Sequence, residues 1–183
     1  MNVMSIDVEM NQPSRKVIQI GAAVYEPKSG LLIDRMEIFV NPNEPIEPFI
    51  TNLTGIRDSD VNNGHTIIQA YEELRSFAKK NKVFQNPLVW GSGIRNDSQV
   101  IWEQTGLDGE NFMGFRVLDV KTIFQSIQLY SDGRHGMGLK ECCEKLGIGF
   151  EGNTHTALAD AMNTFRVWHF LMKNFNNTFG NKK

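Results

Sequence analysis

Apolar and polar residues alternate along the opening of the chain and later recur at helical spacing, and that change of period divides the sequence into elements. In Val3–Met10, the residues Met4, Ile6, Val8 and Met10 alternate with Val3, Ser5, Asp7 and Glu9, the period-2 pattern of a strand. Asn11-Gln12-Pro13-Ser14 is turn chemistry. A second strand runs from Lys16 to Tyr25, kept slim by Gly21-Ala22-Ala23, and after the turn Glu26–Gly30 a third runs from Leu31 to Val40. Short connections predict an antiparallel meander. Asn41–Pro48 holds three prolines and is extended, because proline fixes φ and disfavours a helical predecessor. A short helix over Phe49–Thr54 stops at Gly55. Between Thr66 and Asn81 the stripe Ile67, Tyr71, Leu74 and Ala78, widened by Ala70 and Phe77, predicts a longer one.

The second half alternates strands and helices. Leu88-Val89-Trp90 suits a short buried parallel strand, followed by a helix from Asn96 to Gln104. Arg116-Val117-Leu118 is another strand, with a helix over Val120–Tyr130 after it. Residues 132–136 form a loop, Gly138–Leu146 a helix closed by Gly147, and Thr156–Phe175 the last helix, with a core stripe of Leu158, Met162, Phe165 and Met172. Three antiparallel strands followed by two parallel ones, flanked by helices, give an α/β domain. It is expected to span residues 1–175, with a frayed polar tail at 176–183.

Composition narrows the class. The chain of 183 residues is 40% hydrophobic and 22% charged, the profile of an ordinary folded domain with a substantial core. No apolar run is long enough to span a bilayer, and the first residues lack the order of a signal peptide. The cysteines, Cys142 and Cys143, are adjacent within a helical pattern and fit reduced thiols, so a cytoplasmic location with no membrane partner is expected. A net charge of −2 argues against gripping long nucleic acid through a broad basic surface.

The candidate chemistry begins in the first strand. Side chains two apart on a strand share a face, with roots roughly 6.5 Å apart, so Asp7 and Glu9 point the same way. Two like charges so close repel unless a cation compensates, and a hard divalent ion that takes oxygen ligands is the natural one. A wet polar face is the plain alternative. Asp160 heads a largely apolar row, Thr164, Val167 and Leu171, on the last helix, with Ala157, Ala159 and Ala161 allowing close approach to a sheet. An exposed first-turn acid favoured by the helix dipole is its alternative reading. Five residues on a helix turn through about 140°, so His155 does not share a face with Asp160; it sits at or before the first turn, over the rim of a site. A neutral imidazole there is suited to general-base work, although a single histidine also occurs in purely structural settings.

The order Asp7-x-Glu9, then Asp97, then His155-Thr156-Ala157-Leu158-Ala159-Asp160 resembles the DEDDh exonucleases, the DnaQ-like family with an RNase H-like fold. Ile18-Gln19-Ile20-Gly21-Ala22 is similar to the second-strand signature of that family, and Asn41-Pro42, Pro45-Ile46 and Ile50–Ile56 resemble the segment after the third strand in proofreading members. Asn96, where the family usually has an aromatic, departs from the pattern. The run Gly91–Asp97, with Glu9-Met10 and Leu118-Asp119-Val120, is closer to the oligoribonuclease branch. Asp119 is the rival of Asp97 for the second-motif acid.

The resemblance implies a 3′–5′ exonuclease that releases nucleoside 5′-monophosphates from single-stranded or frayed 3′ ends, with DNA slightly favoured over RNA. Asp7, Glu9, Asp97 and Asp160 would hold two ions, Mg²⁺ or Mn²⁺, and His155 would take the proton from water. Met10, Leu53 and Thr54 would bind substrate, and a homodimer is compatible because related stand-alone members often pair. The alternatives are an oligoribonuclease-like RNA-trimming enzyme, a catalytically silent nucleic-acid-binding module, and a metal-dependent endonuclease or phosphatase on a related fold.

Overall fold

A computed structural model describes residues 1–83, 85–91, 96–133 and 136–179. Residues 92–95 of the Gly91–Asp97 run, 134 and 135 of the expected loop and 180–183 of the expected tail lie outside it. Strands β1 (Val3–Met10), β2 (Val17–Tyr25) and β3 (Leu32–Phe39) form the expected meander. Then come α1 (Pro48–Thr54), α2 (Asp58–Val61), α3 (Ile67–Lys80), β4 (Leu88–Val89), α4 (Asp97–Thr105), β5 (Leu118–Asp119), α5 (Val120–Asp132), α6 (Leu139–Lys145) and α7 (Ala157–Phe179). The sheet order is β3-β2-β1-β4-β5, antiparallel on one side of β1 and parallel on the other, as an RNase H-like sheet requires.

Alternation along the central strands sorts the core into two layers. Met4, Ile6 and Val8 of β1 and Ile20, Ala22 and Val24 of β2 pack on α3 and α4. Ala23 and Tyr25 of β2 face α5, α6 and α7, where Phe124, Phe165, Val167 and Leu171 fill the layer. Asp7 and Glu9 have the same parity as Ala23 and Tyr25 and so belong to the α7 side. A third, smaller cluster joins Ile18 to Ile46, Ile50, Ile56 and Val61 beneath α1 and α2. Cys142 and Cys143 are free, buried thiols of the second layer.

Three local expectations need correction, and one element, α2, was not expected. Helix α2 has only four residues, too few to show a period. The strand expected at Arg116–Leu118 is Leu118–Asp119, set by its parallel pairing with Leu88 and Val89 rather than by its own side chains. Helix α7 continues through Phe179 instead of ending at Phe175, since nothing before Gly180 breaks it. On α7 both rows reach the core: Phe165 of the expected stripe is buried, but Leu158, Met162 and Met172 are only partly so, whereas Thr164, Val167 and Leu171 in the row headed by Asp160 are all buried.

The docking of α7 rests on a residue without a side chain. A Cβ on Gly21 would stand 2.2 Å from both Ala157 C and Leu158 N, so the first turn of α7 lies directly on β2. Beside it, the Ala157 N–H donates to Gln19 Oε1 at 3.0 Å, satisfying one of the open amides at the start of the helix. Because Gly21 pairs with Asp7 across the sheet, this contact brings α7 over the acidic end of β1. Gly21→Ala is expected to lower Tm by about 2–12 °C, since overpacking against backbone costs roughly 1–3 kcal/mol and each kcal/mol is worth about 2–4 °C at this size. Thermal melts decide it; an unchanged Tm would mean that α7 can shift without cost.

Candidate active site

The acids converge from three elements. Asp7 and Glu9 lie on β1 beyond its pairing of Ser5 with Leu88, at the carboxyl end of the parallel part of the sheet. Crevices at such strand ends are where open α/β sheets bind ligands. Asp97 is the first residue of α4, behind an N-cap in which Asn96 Oδ1 accepts from the Gln99 N–H at 3.0 Å. Asp160 stands in the first turn of α7. All four carboxylates are partly buried.

Their electrostatics follow from this placement. Burial pushes the Asp7 carboxyl well above the ordinary carboxylate range, and the charges of Asp97, Asp160 and Glu9 push it further. Burial, then Asp160 and Asp97, raise Glu9 to about 7. Burial and the neighbouring Asp119 raise Asp97 to about 7. Burial raises Asp160 to about 6, moderated by the His155 imidazole and by the His155 backbone N–H that donates to its carboxylate. A cluster of oxygen donors whose ionisation is opposed by burial and by like charge suits a divalent cation.

His155 occupies the turn before α7, with a φ of 60° in the left-handed region that non-glycine residues rarely enter. Its side chain is exposed, yet a ring nitrogen and one carboxylate oxygen each from Glu9 and Asp160 all lie within 4.8 Å of one another. The histidine expected at the rim is there.

Asp119 is engaged differently from Asp97. It caps α5, with Oδ1 accepting from the Thr122 N–H at 3.2 Å and from the Gly91 N–H at 3.1 Å, and Oδ2 from the Thr122 hydroxyl at 2.8 Å. It thus holds the exit of β4 to the start of α5, while Asp97 is the acid that acts on Asp7 and Glu9.

Among the expected substrate contacts, Met10 is half-buried at the end of β1 and Leu53 is 41% exposed on α1. Thr54 is buried; its hydroxyl donates to Ile50 O at 2.9 Å and accepts from the Ile56 N–H at 3.1 Å. Sequence reasoning missed Asn11, taken only as a turn residue. It is 1% exposed, and it ties the end of β1 to the entry of α1. Its Nδ2 donates to Glu44 Oε1 at 2.8 Å and Pro45 O at 2.9 Å, and its Oδ1 accepts from the Glu47 N–H at 2.9 Å. Its position just past the D-x-E pair was the available signal.

The raised carboxyls fix a pH dependence. The folded state keeps protons that the unfolded chain has lost, so this contribution to stability is full below about pH 4 and disappears as pH rises through about 6 to 7. Surface acids with depressed values, such as Glu26 at about 2, lose their contribution only at lower pH. Metal-free protein in EDTA is therefore expected to melt at a lower temperature at pH 8 than at pH 5.5, with Mg²⁺ or Mn²⁺ restoring the loss at pH 8. Equal melting temperatures would contradict the cluster.

A mixed sheet with acids gathered at the carboxyl end of its parallel strands defines an RNase H-like nuclease fold with an acidic, metal-suited centre. The chain belongs to the exonuclease family RNase_T, whose profile matches residues 4–168, a DnaQ-like family. A PolC-type DNA polymerase III from Streptococcus suis is 28% identical over 171 residues, covering 91% of this chain but 11% of the polymerase. The chain thus spans about a tenth of that relative. The nuclease domain of 3′hExo, a DEDDh family member bound to rAMP, superposes with a TM-score of 0.79 at 18% identity, covering 94% of this chain and 92% of that one. Escherichia coli Exonuclease I in complex with a dT13 oligonucleotide superposes with a TM-score of 0.72 at 16% identity, covering 100% and 44%. No helix among the described residues is long and apolar enough to cross a membrane.

Proposed function

We propose that this protein is a divalent-metal-dependent 3′–5′ exonuclease that removes nucleoside 5′-monophosphates from single-stranded or frayed 3′ ends of DNA or RNA. The observation that carries the reading is the gathering of Asp7, Glu9, Asp97 and Asp160 from β1, α4 and α7, with a ring nitrogen of His155 within 4.8 Å of Glu9 and Asp160 oxygens, in a chain of the exonuclease family.

Two ions, Mg²⁺ or Mn²⁺, held by Asp7, Glu9, Asp97 and Asp160 would supply Lewis acidity at the attacked phosphate and at the departing 3′ oxygen. Asp7, on which all three other acids act, would be the central residue in holding the ions. Asp119 acts as a positioning residue, holding Gly91 and the start of α5. His155 receives the proton of the attacking water on its imidazole; its exposure lets that proton pass to solvent. Met10 and Leu53 offer apolar surface to the terminal nucleotide, and Thr54 fixes the end of α1 that presents Leu53.

DNA is slightly favoured, supported by the polymerase relatives, whereas the rAMP bound to 3′hExo keeps RNA and an oligoribonuclease-like role as the second reading. The complete set of acids with the histidine argues against a silent binding module. A cytoplasmic location is part of the proposal, supported by two free thiols. Pairing into a homodimer, testable by sedimentation, belongs to it too.

The test is digestion of 5′-labelled single-stranded DNA and RNA and of a blunt duplex, in Mg²⁺, Mn²⁺ or EDTA. A ladder shortening from the 3′ end, mononucleotide product, silence in EDTA and slower attack on the blunt duplex are expected. Internal cuts, or release of inorganic phosphate alone, would replace the reading with an endonuclease or a phosphatase.

A further inference from the structure

We infer that Glu9, His155 and Asp160 form a mixed nitrogen–oxygen site for a transition-metal ion of the Zn²⁺ class, and that occupancy of this site withdraws His155 from the reaction. The inference rests on reading these residues as the active site, and it adds a second metal chemistry at that place.

The geometry of the three donors is the starting point. One ligand atom from each residue lies within 4.8 Å of the other two. Tetrahedral Zn²⁺, with bonds of about 2.0–2.1 Å, separates its ligands by roughly 3.3 Å, so no pair in the group needs to close by more than about 1.5 Å. The exposed His155 ring can supply that movement by rotating about its side-chain bonds. The backbone beneath the ring is already set. The His155 φ of 60° aims the side chain, its N–H donates to the Asp160 carboxylate, and the Thr156 hydroxyl braces the turn by donating to Asn153 O at 2.8 Å.

Ligand chemistry then separates the metals. Mg²⁺ takes oxygen ligands and keeps several waters, so it has no use for the imidazole and leaves His155 free. Zn²⁺ and its neighbours accept imidazole readily and bind a given nitrogen–oxygen site more tightly than Mn²⁺ does. Because Glu9 and Asp160 serve both arrangements, the two are mutually exclusive. The same acids that admit a hard ion for turnover thus bind a borderline ion in a closed, resting form.

The test uses metals alone. Co²⁺, a coloured stand-in for Zn²⁺, is titrated into metal-free protein and then displaced with Zn²⁺; the same is done with His155→Asn. Wild type is expected to show the visible absorption of a low-coordinate nitrogen–oxygen site, and His155→Asn to bind Zn²⁺ on the order of 100-fold more weakly while keeping its thermal stabilisation by Mg²⁺. Unchanged Zn²⁺ affinity in the variant overturns the inference. Zinc-edge X-ray absorption of the wild-type protein answers the question without a variant: imidazole scattering supports the site, and its absence overturns it. Mononucleotide release in Mg²⁺ tests the exonuclease reading separately. A protein inactive in Mg²⁺ whose zinc carries an imidazole keeps this site and loses that reading.

Discussion

Asp7→Asn is expected to abolish turnover while raising the melting temperature of the metal-free protein. The substitution keeps the shape of the side chain and removes its charge. Asp7 is the acid on which Asp97, Asp160 and Glu9 all act, and each of these charges makes its ionisation costlier. Without metal, neutralising it removes that repulsion from a half-buried place, so the fold gains. With metal, the proposed central ligand would be lost, and with it several kcal/mol of charge stabilisation, which corresponds to a fall in rate of at least about 10³-fold. Single-turnover digestion and melts in EDTA read the two effects independently. Near-normal activity would remove Asp7 from the centre, and a lowered Tm would mean that its carboxylate is structural.

His155→Ala is expected to lower kcat by about 10²–10⁴-fold, the range for a general acid or base, with KM and Mg²⁺ binding little changed. The link from His155 to Asp160 runs through the backbone N–H, which alanine retains, so the carboxylate keeps its donor. The ring is exposed, so its removal leaves no cavity in the core. The left-handed backbone suits alanine only somewhat less well than histidine, so Tm is expected to hold within a few degrees. Rate, KM and Tm measured together separate the roles. Full kcat across pH 6–9 would reject the proton-transfer role, and a large fall in Tm would assign His155 to folding instead.

Much of this architecture was legible from period alone. The meander and α3 declared themselves because each buries one face of a regular element, so burial prints the element's period on the sequence. Helix α2 and strands β4 and β5 were harder, since two to four residues cannot carry a period and their pairing is decided by neighbours distant in the chain. The candidate acids were picked out by their order along the chain and Asp7 and Glu9 by their shared strand face, but their relation to Asp97 and Asp160 was not legible. Only the folded chain separates Asp119, bound to Thr122 and Gly91, from Asp97, which acts on Asp7. Gln19, Gly21 and Asn11 acquire their roles through contacts with Ala157, Leu158 and the 44–47 segment; small residues at Gly21 and Ala157 hinted at a close approach, but the particular pairings are made only by the folded chain.

The seat of α7 on Gly21 has a consequence for how the protein matures. Two of the four acids come from β1, near the first residues of the domain, Asp97 comes from α4, and Asp160 comes from the last helix, with His155 in the turn just before it. A nascent or partly unfolded chain with an intact meander and α3 would hold most of its strand structure and still be chemically mute. Turnover in this architecture therefore reports completed tertiary docking rather than secondary structure. A refolding assay followed by nuclease activity should lag one followed by circular dichroism, by the time α7 takes to close onto the sheet.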